Sequence, residues 1–256
     1  MTARRGLCAA AAAICAAPVL TGCTVYTEPA VPASGPGERR PVHVVPPAPV
    51  EPAPVTAASI FHDELRRSGQ WYDSPVCGGY YGAVWRPEAR IAGATFVPYV
   101  TSGAWLATDL GWSFESDFDW GWATFHYGNW CDDGRLGWVW VPDVEWAPAW
   151  VQWRYGGGFV GWAPLPPPGI PISDRHWVFM PQDRFSGQRV TQFALSSRWV
   201  PTARHATRPV ETVVRHDGYT WSPGPPPDLI PGETRPVHVV PPARGSVRRV
   251  TVRPRH

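Results

Sequence analysis

The sequence predicts a mostly β protein built from short antiparallel hairpins that form a small sheet or a barrel. Eleven of its 16 tryptophans fall within residues 105–162. Two W-x-W pairs, which begin at Trp120 and Trp138, would each place both rings on one side of an extended strand, because side chains alternate with a period of two. A G-x-W unit followed by an aromatic strand recurs after about 25 residues, which fits two strands and two turns better than a helical repeat.

The chain begins with a segment typical of an export signal. Residues 1–22 contain Arg4, Arg5 and an apolar run that is too short to span a bilayer as a permanent helix. The letters L-T-G-C that end at Cys23 resemble the lipobox of bacterial lipoproteins, in which the cysteine is acylated and becomes the mature N-terminus. Two or three acyl chains on Cys23 would anchor the protein stably to a membrane. An ordinary secretion signal with an incidental cysteine is the alternative.

The lipobox resemblance also implies a location. Thr24 follows the cysteine where retention in the inner membrane would favour aspartate, so similarity to sorted lipoproteins indicates an outer-membrane protein that faces the periplasm or the surface. Residues 23–58 are then a spacer. Nine prolines lie within residues 28–54, with few large apolar residues, so we expect an extended, polyproline-like segment without a core.

Charge is unevenly distributed along the chain. There is no lysine, and removal of residues 1–22 with their two arginines leaves 21 arginines and 21 acidic residues. Residues 60–183 hold 14 acids and 7 arginines, whereas residues 184–256 hold 4 acids and 12 arginines. The basic end either lies on the acidic domain or in solvent, or contacts anionic lipid, lipopolysaccharide or another acidic envelope polymer. We expect no nucleic-acid partner.

One segment occurs twice in the chain. The letters P-G-E-T-R-P-V-H-V-V-P-P-A at 231–243 repeat residues 36–48 with one change. Either both copies are low-complexity tail, or the V-H-V-V pieces are short strands that add to the edge of a sheet. We favour the first alternative and expect residues 231–256 to form a weakly ordered tail, so that proline-rich, disordered segments flank the domain at both ends.

The folded part is expected to open with a single helix. The letters S-I-F-H-D-E-L-R-R-S at 59–68 offer Ser59 as a cap, acidic residues early and arginines late, with a short apolar side. A Trp/Gly-repeat β domain over residues 59–183 and its extension over residues 184–230 complete the predicted organisation.

The repeat unit predicts where the hairpins lie. Each unit has a G-x-W strand, a turn and an aromatic return strand, and Pro142, Pro148 and Pro164 should close strands because proline cannot donate to a ladder. The G-x-W strands begin at Gly69, Gly103 and Gly128, and the returns begin at Ala83, Gly111 and Gly137.

Several ordered motifs carry a resemblance to a known family. They include F-H-D-E-L, W-G-W-A-T-F-H-Y-G-N-W, G-W-V-W-V-P, W-A-P-A-W-V-Q-W-R-Y and V-G-W-A-P-L-P-P. Together they resemble the bacterial domain of unknown function 6600 over about residues 60–230. The resemblance implies an exported or lipid-anchored envelope protein of Gram-negative bacteria without an established activity, and no catalytic residue can be carried over from it.

Two cysteines remain for the folded part. Cys8 and Cys15 leave with the signal and Cys23 is used by the lipobox, which leaves Cys77 and Cys131. Both follow a G-x-W strand, and cysteines in an oxidising compartment usually pair, so we predict a disulfide. Unpaired or intermolecular thiols, or a metal or redox role, are the alternatives.

The tryptophans allow two interpretations. A β domain with little leucine or isoleucine must build its core from aromatic rings, each of which buries about 150–250 Å². Sixteen tryptophans are more than a core of this size can easily bury, so we also expect an exposed aromatic row that stacks on sugar rings. The candidate ligand-binding residues are Trp105, Trp120, Trp130 and Trp150, with Asp117 and Asp132 as the leading hydrogen-bond acceptors and Asp119, Asp133, Asp143 and Glu145 as further ones.

No catalytic, metal-binding or cofactor-binding signature occurs in the sequence. Acidic pairs at Asp117 and Asp132 are expected to be solvated turns rather than calcium ligands or a glycosidase pair, and His126 and His176 to be strand residues. We therefore expect no enzyme, no cofactor and no metal. The preferred function is a binding or structural module that contacts cell-wall glycan or an envelope protein. The alternatives are an assembly scaffold that acts through the arginine-rich tail and, less favoured, a glycan hydrolase.

Overall fold

A computed structural model gives the fold of the chain after its N-terminal flank. It describes residues 56–78, 82–216, 218–232, 236–250 and 252. The predicted signal, Cys23, most of the spacer and the N-terminal copy of the repeated segment lie outside the described residues.

The predicted helix is present, but it is capped by a different residue. Helix α1 runs over Ala57–Leu65, and the hydroxyl of Thr56 accepts the N–H of Ser59. Thr56 is therefore the cap, and the assignment of that role to Ser59 is wrong because the helix starts earlier than its apolar residues suggest. Phe61 and Leu65 are fully buried and attach the helix to the sheet beneath it.

Short strands follow the helix. They are β1 (Gly69–Asp73), β2 (Ala83–Pro87), β3 (Gly103–Thr108), β4 (Gly111–Ser116), β5 (Tyr127–Asp132), β6 (Trp138–Trp146), β7 (Val151–Gly156), β8 (Phe159–Pro164), β9 (Val178–Pro181), β10 (Arg208–Pro209), β11 (Val214–His216) and β12 (Tyr219–Trp221). Short helices are α2 (Ala89–Ala92), α3 (Gly121–Thr124), α4 (Val190–Phe193) and α5 (Val200–Ala206), with single 3₁₀ turns at Asp174–His176, Gln182–Arg184, Ser197–Trp199 and Pro227–Leu229. None of the helices in the described part of the chain has the length and hydropathy to cross a bilayer.

The strands form two antiparallel sheets and two hairpins. The first sheet has the order β1-β2-β6-β5 and the second the order β10-β7-β8-β9, while β3 pairs with β4 and β11 with β12. Between the two forms that the sequence left open, this pairing corresponds to open sheets, since each ends in strands with a single neighbour. The mostly β, hairpin-based fold class is confirmed.

The predicted repeat units coincide with three hairpins. Strands β1 and β3 begin at the first glycine of a G-x-W unit, and the third G-x-W unit lies within β5. In each unit the tryptophan stands opposite an aromatic residue of the return strand, as in Trp71 opposite Trp85 and Trp130 opposite Trp140. The repeated motif therefore encodes an aromatic cross-strand pair, which is the unit of sheet stabilisation.

One of the two W-x-W pairs is not in a strand. Trp138 and Trp140 lie in β6 as predicted, but Trp120 caps the helical turn α3, which contains Trp122. Trp120 is buried and Trp122 is only partly buried, so the two rings do not form one wall. The prediction fails because a single W-x-W pair is too short to establish a period, so it occurs in a helical turn as well as in a strand.

The core is built around buried indole rings. Eleven of the 16 tryptophans are buried, which confirms that most of them are core residues. Trp105 shows the arrangement, since its ring stacks on Tyr99 at 5.8 Å and meets Trp153 edge-on at 4.6 Å. Such tilted and stacked pairs stabilise the core beyond the area they bury. The buried rings are Trp85, Trp105, Trp112, Trp120, Trp130, Trp140, Trp146, Trp153, Trp162, Trp177 and Trp221.

A disulfide joins β5 to the loop after β1. Cys77 and Cys131 are bonded at an S–S distance of 2.00 Å, and their sequence separation is 54. Both are buried in a small cluster with Val84, Val139 and Val141. Because it restricts the unfolded chain, a link across a loop of this length stabilises the domain by about 4 kcal/mol on the chain-entropy model.

The chain beyond residue 183 also belongs to the folded body. Phe185 is fully buried, and its ring lies 4.7 Å from Trp112 and 5.8 Å from Trp162. The indole N–H of Trp112 donates to the carbonyl of Pro225 at 2.8 Å. The extension over residues 184–230 therefore completes the same core.

The C-terminal arm, residues 236–250, differs from the disordered flank that the sequence predicts. Val239 is buried, and Val237 forms a parallel bridge with Thr108 at the end of β3. Further along, the Tyr127 hydroxyl donates to the carbonyl of Arg248 at 2.9 Å. This copy of the repeated segment is therefore not a free tail: a single β-bridge joins it to the edge of the β3–β4 hairpin, although it is not itself a strand of the described chain. The proline-rich composition is misleading here, because a few valines are enough to hold a segment in place when a strand edge supplies the backbone groups that it binds.

We predict that Trp105→Ala lowers the free energy of unfolding by about 3–5 kcal/mol, because it leaves a cavity among packed rings. Trp199→Ala is the matched control: its ring is 52% exposed, and the change should stay within about 0.5 kcal/mol. Denaturant unfolding of both variants measures the difference. Equal losses would contradict the indole core.

Candidate functional site

A groove lies between the end of β6 and the proline-rich loop that follows β8. Its volume is about 280 Å³, and we call it the Trp150 groove after the partly buried ring in its lining. The lining residues are Gly128, Asn129, Val141, Pro142, Asp143, Glu145, Trp150, Leu165, Pro166, Pro167 and Pro168.

A bulge in the β5–β6 pair shapes one side of this groove. Tyr127 is opposite Trp146 and Asn129 is opposite Val141, so the residues numbered 142–145 share a single partner, Gly128. Gly128 has φ 62°, and a Cβ there would overlap the carbonyl oxygen of Val141. Only glycine fits both constraints without strain.

Pro142 lies inside this bulge rather than at a strand end. Strand β6 continues past it to Trp146, so the prediction that Pro142 closes a strand is wrong. Proline is tolerated here because the bulge interrupts the ladder at this position, so the absence of an N–H group costs no hydrogen bond. Pro148 and Pro164 do mark strand ends, the first between β6 and β7 and the second as the last residue of β8.

The bulge supplies two carboxylates to the groove. One oxygen of Asp143 accepts the backbone N–H groups of Val144 at 2.6 Å and Glu145 at 3.3 Å, which fixes the side chain. The Glu145 carboxylate has no hydrogen bond or ion pair with any described residue. The groove therefore contains free acceptor oxygens on a constrained turn.

Hydrogen bonds hold the other side of the groove in place. The indole N–H of Trp150 donates to the carbonyl of His126, and its backbone N–H donates to the Tyr99 hydroxyl, both at 3.1 Å. The backbone N–H of Leu165 donates to the carbonyl of Trp150 at 3.0 Å, and the Asn129 amide donates to the carbonyl of Leu165 at 3.2 Å. The ring and the proline loop are thus tied together, which makes the groove preformed.

This arrangement suits a neutral, hydroxyl-bearing ligand with a flat apolar face. Trp150 and the prolines offer apolar surface, and Asp143 and Glu145 offer oxygens that accept hydroxyl hydrogen bonds. No arginine or histidine lines the groove among the described residues, so an anionic ligand would meet like charge without compensation.

Three of the four predicted stacking residues cannot contact a ligand. Trp105, Trp120 and Trp130 are 0%, 2% and 1% exposed, respectively, and are core residues. The indole N–H of Trp130 donates to the carbonyl of Thr124 at 2.8 Å, and Trp120 stacks on Phe118 at 4.4 Å. Their assignment to an exposed row is wrong, because each of these rings packs against other aromatic rings.

The two leading candidate acids lie elsewhere. Asp117 forms an ion pair with Arg189. Asp132 binds Arg175 at 2.8 Å and His176 at 3.1 Å. Neither acid lines the Trp150 groove, so the structure does not bring them together with Trp150 as one site. Among the predicted residues it is the further acceptors, Asp143 and Glu145, that do share a cavity with that ring.

Asn129 and the proline loop are the parts of the groove that sequence reasoning missed. The signal available for them was the P-L-P-P-P run that ends at Pro168, directly after a predicted strand end. Such a run is rigid and leaves its carbonyl groups free to accept hydrogen bonds. The Leu165 carbonyl in this run is the group that Asn129 binds.

A second cavity lies under the C-terminal arm. It has a volume of about 250 Å³, and we call it the acidic pocket because three of its side chains are carboxylates. Arg249 and Val250 of the arm form part of its wall. Its lining residues are Glu115, Ser116, Asp117, Phe118, Asp119, Gly121, Trp122, His126, Arg249 and Val250.

His126 in this pocket is a buried, neutral ring. Burial lowers its pKa, and the nearby Glu115 carboxylate opposes that effect only in part. Its Nδ1 lies 3.0 Å from the carbonyl of Pro148 and 3.2 Å from that of Ala147, so Nδ1 carries the proton and donates to them. No group of three or more His, Cys, Asp or Glu side chains in the described part of the chain is arranged to hold a metal ion.

Comparison with known proteins identifies one family. Residues 62–169 match the model of a family of unknown function, DUF6600, and this range contains the complete lining of the Trp150 groove. No curated protein and no solved structure matches the chain.

We predict that the protein loses stability as the pH falls below about 6.5, because His126 must gain a proton that the folded state disfavours. Because the pKa of His126 is lower in the folded than in the unfolded state, its contribution to the free energy of unfolding is complete above about pH 6.5. That contribution is lost as the pH falls below this value. His126→Asn keeps a donor for the two carbonyls and cannot titrate, so the free energy of unfolding should depend less on pH between about 7 and 5. His62→Asn, on the exposed side of α1, is the control, and equal slopes for both variants would contradict the prediction.

Proposed function

We propose, from the premise that residues 62–169 are a domain of the DUF6600 family, that the protein is a non-enzymatic binding module of the cell envelope. It binds a neutral glycan chain in the Trp150 groove. The observation that carries the proposal is the joint presence of a fixed, partly exposed indole and two carboxylates in one preformed groove.

The groove has features that glycan recognition needs. The C–H face of a sugar ring matches the flat face of Trp150, while sugar hydroxyls donate to Asp143 and Glu145. Because the ring and the loop are already tied by hydrogen bonds, binding would not require much ordering of side chains, which otherwise reduces affinity. An extended segment of an envelope protein could use the same apolar surface and is the alternative ligand.

The proposed location rests on the N-terminal sequence. Acylation of Cys23 would attach the chain to the outer membrane, and the proline-rich spacer would hold the domain away from the lipid, on the periplasmic side or at the surface. A tethered module of this kind keeps the groove within reach of cell-wall glycan without any further partner.

The other two functions receive less support. For the scaffold, Arg248 and Arg249 of the arm bind groups of the same molecule: Arg248 contacts the carbonyl of Val240, and Arg249 contacts the carbonyl of Asp119. For the hydrolase, the acids first considered are held by basic partners, and one oxygen of Asp143 is occupied by backbone amides.

We predict that Trp150→Ala weakens glycan binding by about three- to tenfold, the equivalent of roughly 0.5–1.5 kcal/mol for one aromatic contact. Trp150→Phe retains a flat ring and should lose less. The measurement is co-sedimentation of the purified protein with insoluble peptidoglycan and titration with soluble polysaccharide fractions.

Trp199→Ala is the control for this experiment, because it removes an exposed ring outside the groove. If Trp150→Ala stays folded and binds glycan as well as wild type does, the glycan proposal fails. Release of soluble fragments from the glycan, abolished by Glu145→Gln, would instead establish a hydrolase.

We predict that Cys23→Ala abolishes incorporation of an alkyne-labelled fatty acid in cells and moves the protein from the membrane fraction to the soluble fraction. Cys15→Ala, inside the predicted signal, is the control and should keep the label. Labelling that persists in Cys23→Ala would contradict the lipobox.

A further inference from the structure

An open cavity with a basic lining lies between strand β7 and helix α5. Its volume is about 440 Å³, and we call it the basic cavity. Arg154 of β7 forms one side, and Pro201, Arg204 and His205 of α5 form the other. No acidic side chain lines it among the described residues. A ligand in this cavity would therefore meet two guanidinium groups and an imidazole ring.

Neutral groups hold the guanidinium of Arg154 in one position. Its Nε donates to the hydroxyl of Thr207 at 3.1 Å, and its Nη2 donates to the carbonyls of Thr207 at 2.6 Å and Arg204 at 3.1 Å. Its Cζ lies 5.7 Å from the centre of the buried ring of Trp177. These bonds satisfy carbonyl groups at the C-terminal end of α5, so the negative end of this helix is neutralised beside the cavity. A side chain that is already fixed loses little further freedom when it binds a ligand.

The positive charge of Arg154 is not compensated by an anion. Its hydrogen bonds go to carbonyl and hydroxyl groups, and its Nη1 has no hydrogen bond to any described residue. Partial burial and the neighbouring Arg204 guanidinium lower the pKa of Arg154, which means that the folded protein disfavours this charge. An anion bound beside Arg154 would offset both effects.

Arg204 supplies a second guanidinium that is still accessible. It forms an ion pair with Asp174 through Nη1, and the side chains of the pair are 37% and 76% exposed, respectively. Exposed ion pairs of this kind are weak. The Nε and Nη2 of Arg204 have no hydrogen bond to any described residue, so they are available to a ligand.

We infer that the basic cavity binds a phosphate monoester. This group carries a charge of about −1.5 to −2 at pH 7 and has three strong acceptor oxygens, so it has charge and acceptors for Arg154 and Arg204 together. Guanidinium groups match the geometry of phosphate, whereas a single carboxylate has charge for only one of them. The phosphate belongs either to a soluble molecule or to the headgroup of a lipid. The basic cavity shares no lining residue with the Trp150 groove, and the inference does not depend on the glycan proposal.

Calorimetric titration of the purified chain with glycerol phosphate, a soluble phosphate monoester, tests this inference. The chain carries Cys23→Ala, so that no acyl group contributes to binding in the vesicle experiment below. Arg204→Gln keeps the backbone carbonyl that Arg154 binds, and it should weaken the affinity about tenfold because it removes charge-assisted hydrogen bonds. Asp174→Asn should strengthen the affinity about threefold, since it releases Arg204 from a competing carboxylate.

Arg198→Gln is the matched control. Arg198 is exposed in the 3₁₀ turn before α5 and does not line the cavity, yet its replacement changes the net charge by the same amount. The affinity for glycerol phosphate should stay unchanged in this variant. The midpoint of denaturant unfolding reports whether each variant remains folded.

Sedimentation with vesicles distinguishes the two sources of the phosphate. The vesicles consist of phosphatidylcholine with or without phosphatidic acid, whose headgroup is a phosphate monoester. Binding only to vesicles with phosphatidic acid, without saturable binding of glycerol phosphate, assigns a lipid headgroup, and saturable binding of glycerol phosphate assigns a soluble ligand. Either result supports the inference if binding is weakened by Arg204→Gln and kept in Arg198→Gln.

Two results would overturn the inference. One is the absence of saturable binding to both glycerol phosphate and phosphatidic acid vesicles. The other is an equal loss of affinity in Arg204→Gln and Arg198→Gln, since that indicates a general effect of charge rather than a site. If Arg204→Gln unfolds, Asp174→Asn gives the test, and an unchanged affinity in that variant would reject the basic cavity.

Discussion

The packing of buried indole rings is the interaction on which this fold depends, and several of these rings also donate their N–H groups to backbone carbonyls. Trp85 donates to Leu65 at the end of α1, Trp140 to Tyr127 and Trp162 to Tyr99, at 3.1, 2.7 and 3.1 Å. The indole N–H groups of Trp105, Trp120, Trp146 and Trp153 have no such partner among the described residues, so these rings are held by ring packing alone. Because the rings supply so much contact area, strands of four to six residues, such as β9 and β3, are enough to build the domain.

An indole hydrogen bond also fixes the ring in the Trp150 groove. The indole N–H of Trp150 donates to the carbonyl of His126, and residues of the bulge and of the proline loop line the groove beside the ring. The acidic pocket differs in its lining, since Arg249 and Val250 of the C-terminal arm form part of its wall.

The sequence predicted the hairpins well, because the G-x-W unit and its return strand carry local information about both turns and pairs. It could not separate core rings from groove rings: Trp130 and Trp150 both stand near polar turns, and their burial is decided by contacts with distant segments such as Phe96 and Leu165. The order of the C-terminal arm was missed for the same reason. Its partner groups belong to Asp109, more than a hundred residues away, and composition alone does not show that partner.

Iodide quenching of tryptophan fluorescence, with and without glycan, tests directly whether indole rings form the core while one of them lines a binding groove. We predict that most emission is blue-shifted and resists iodide, and that a small quenchable fraction shrinks when a peptidoglycan or neutral polysaccharide fraction is added. The protected part should be absent in Trp150→Phe. Extensive quenching of the folded protein, or a quenchable fraction of the same size with and without glycan, would contradict this prediction.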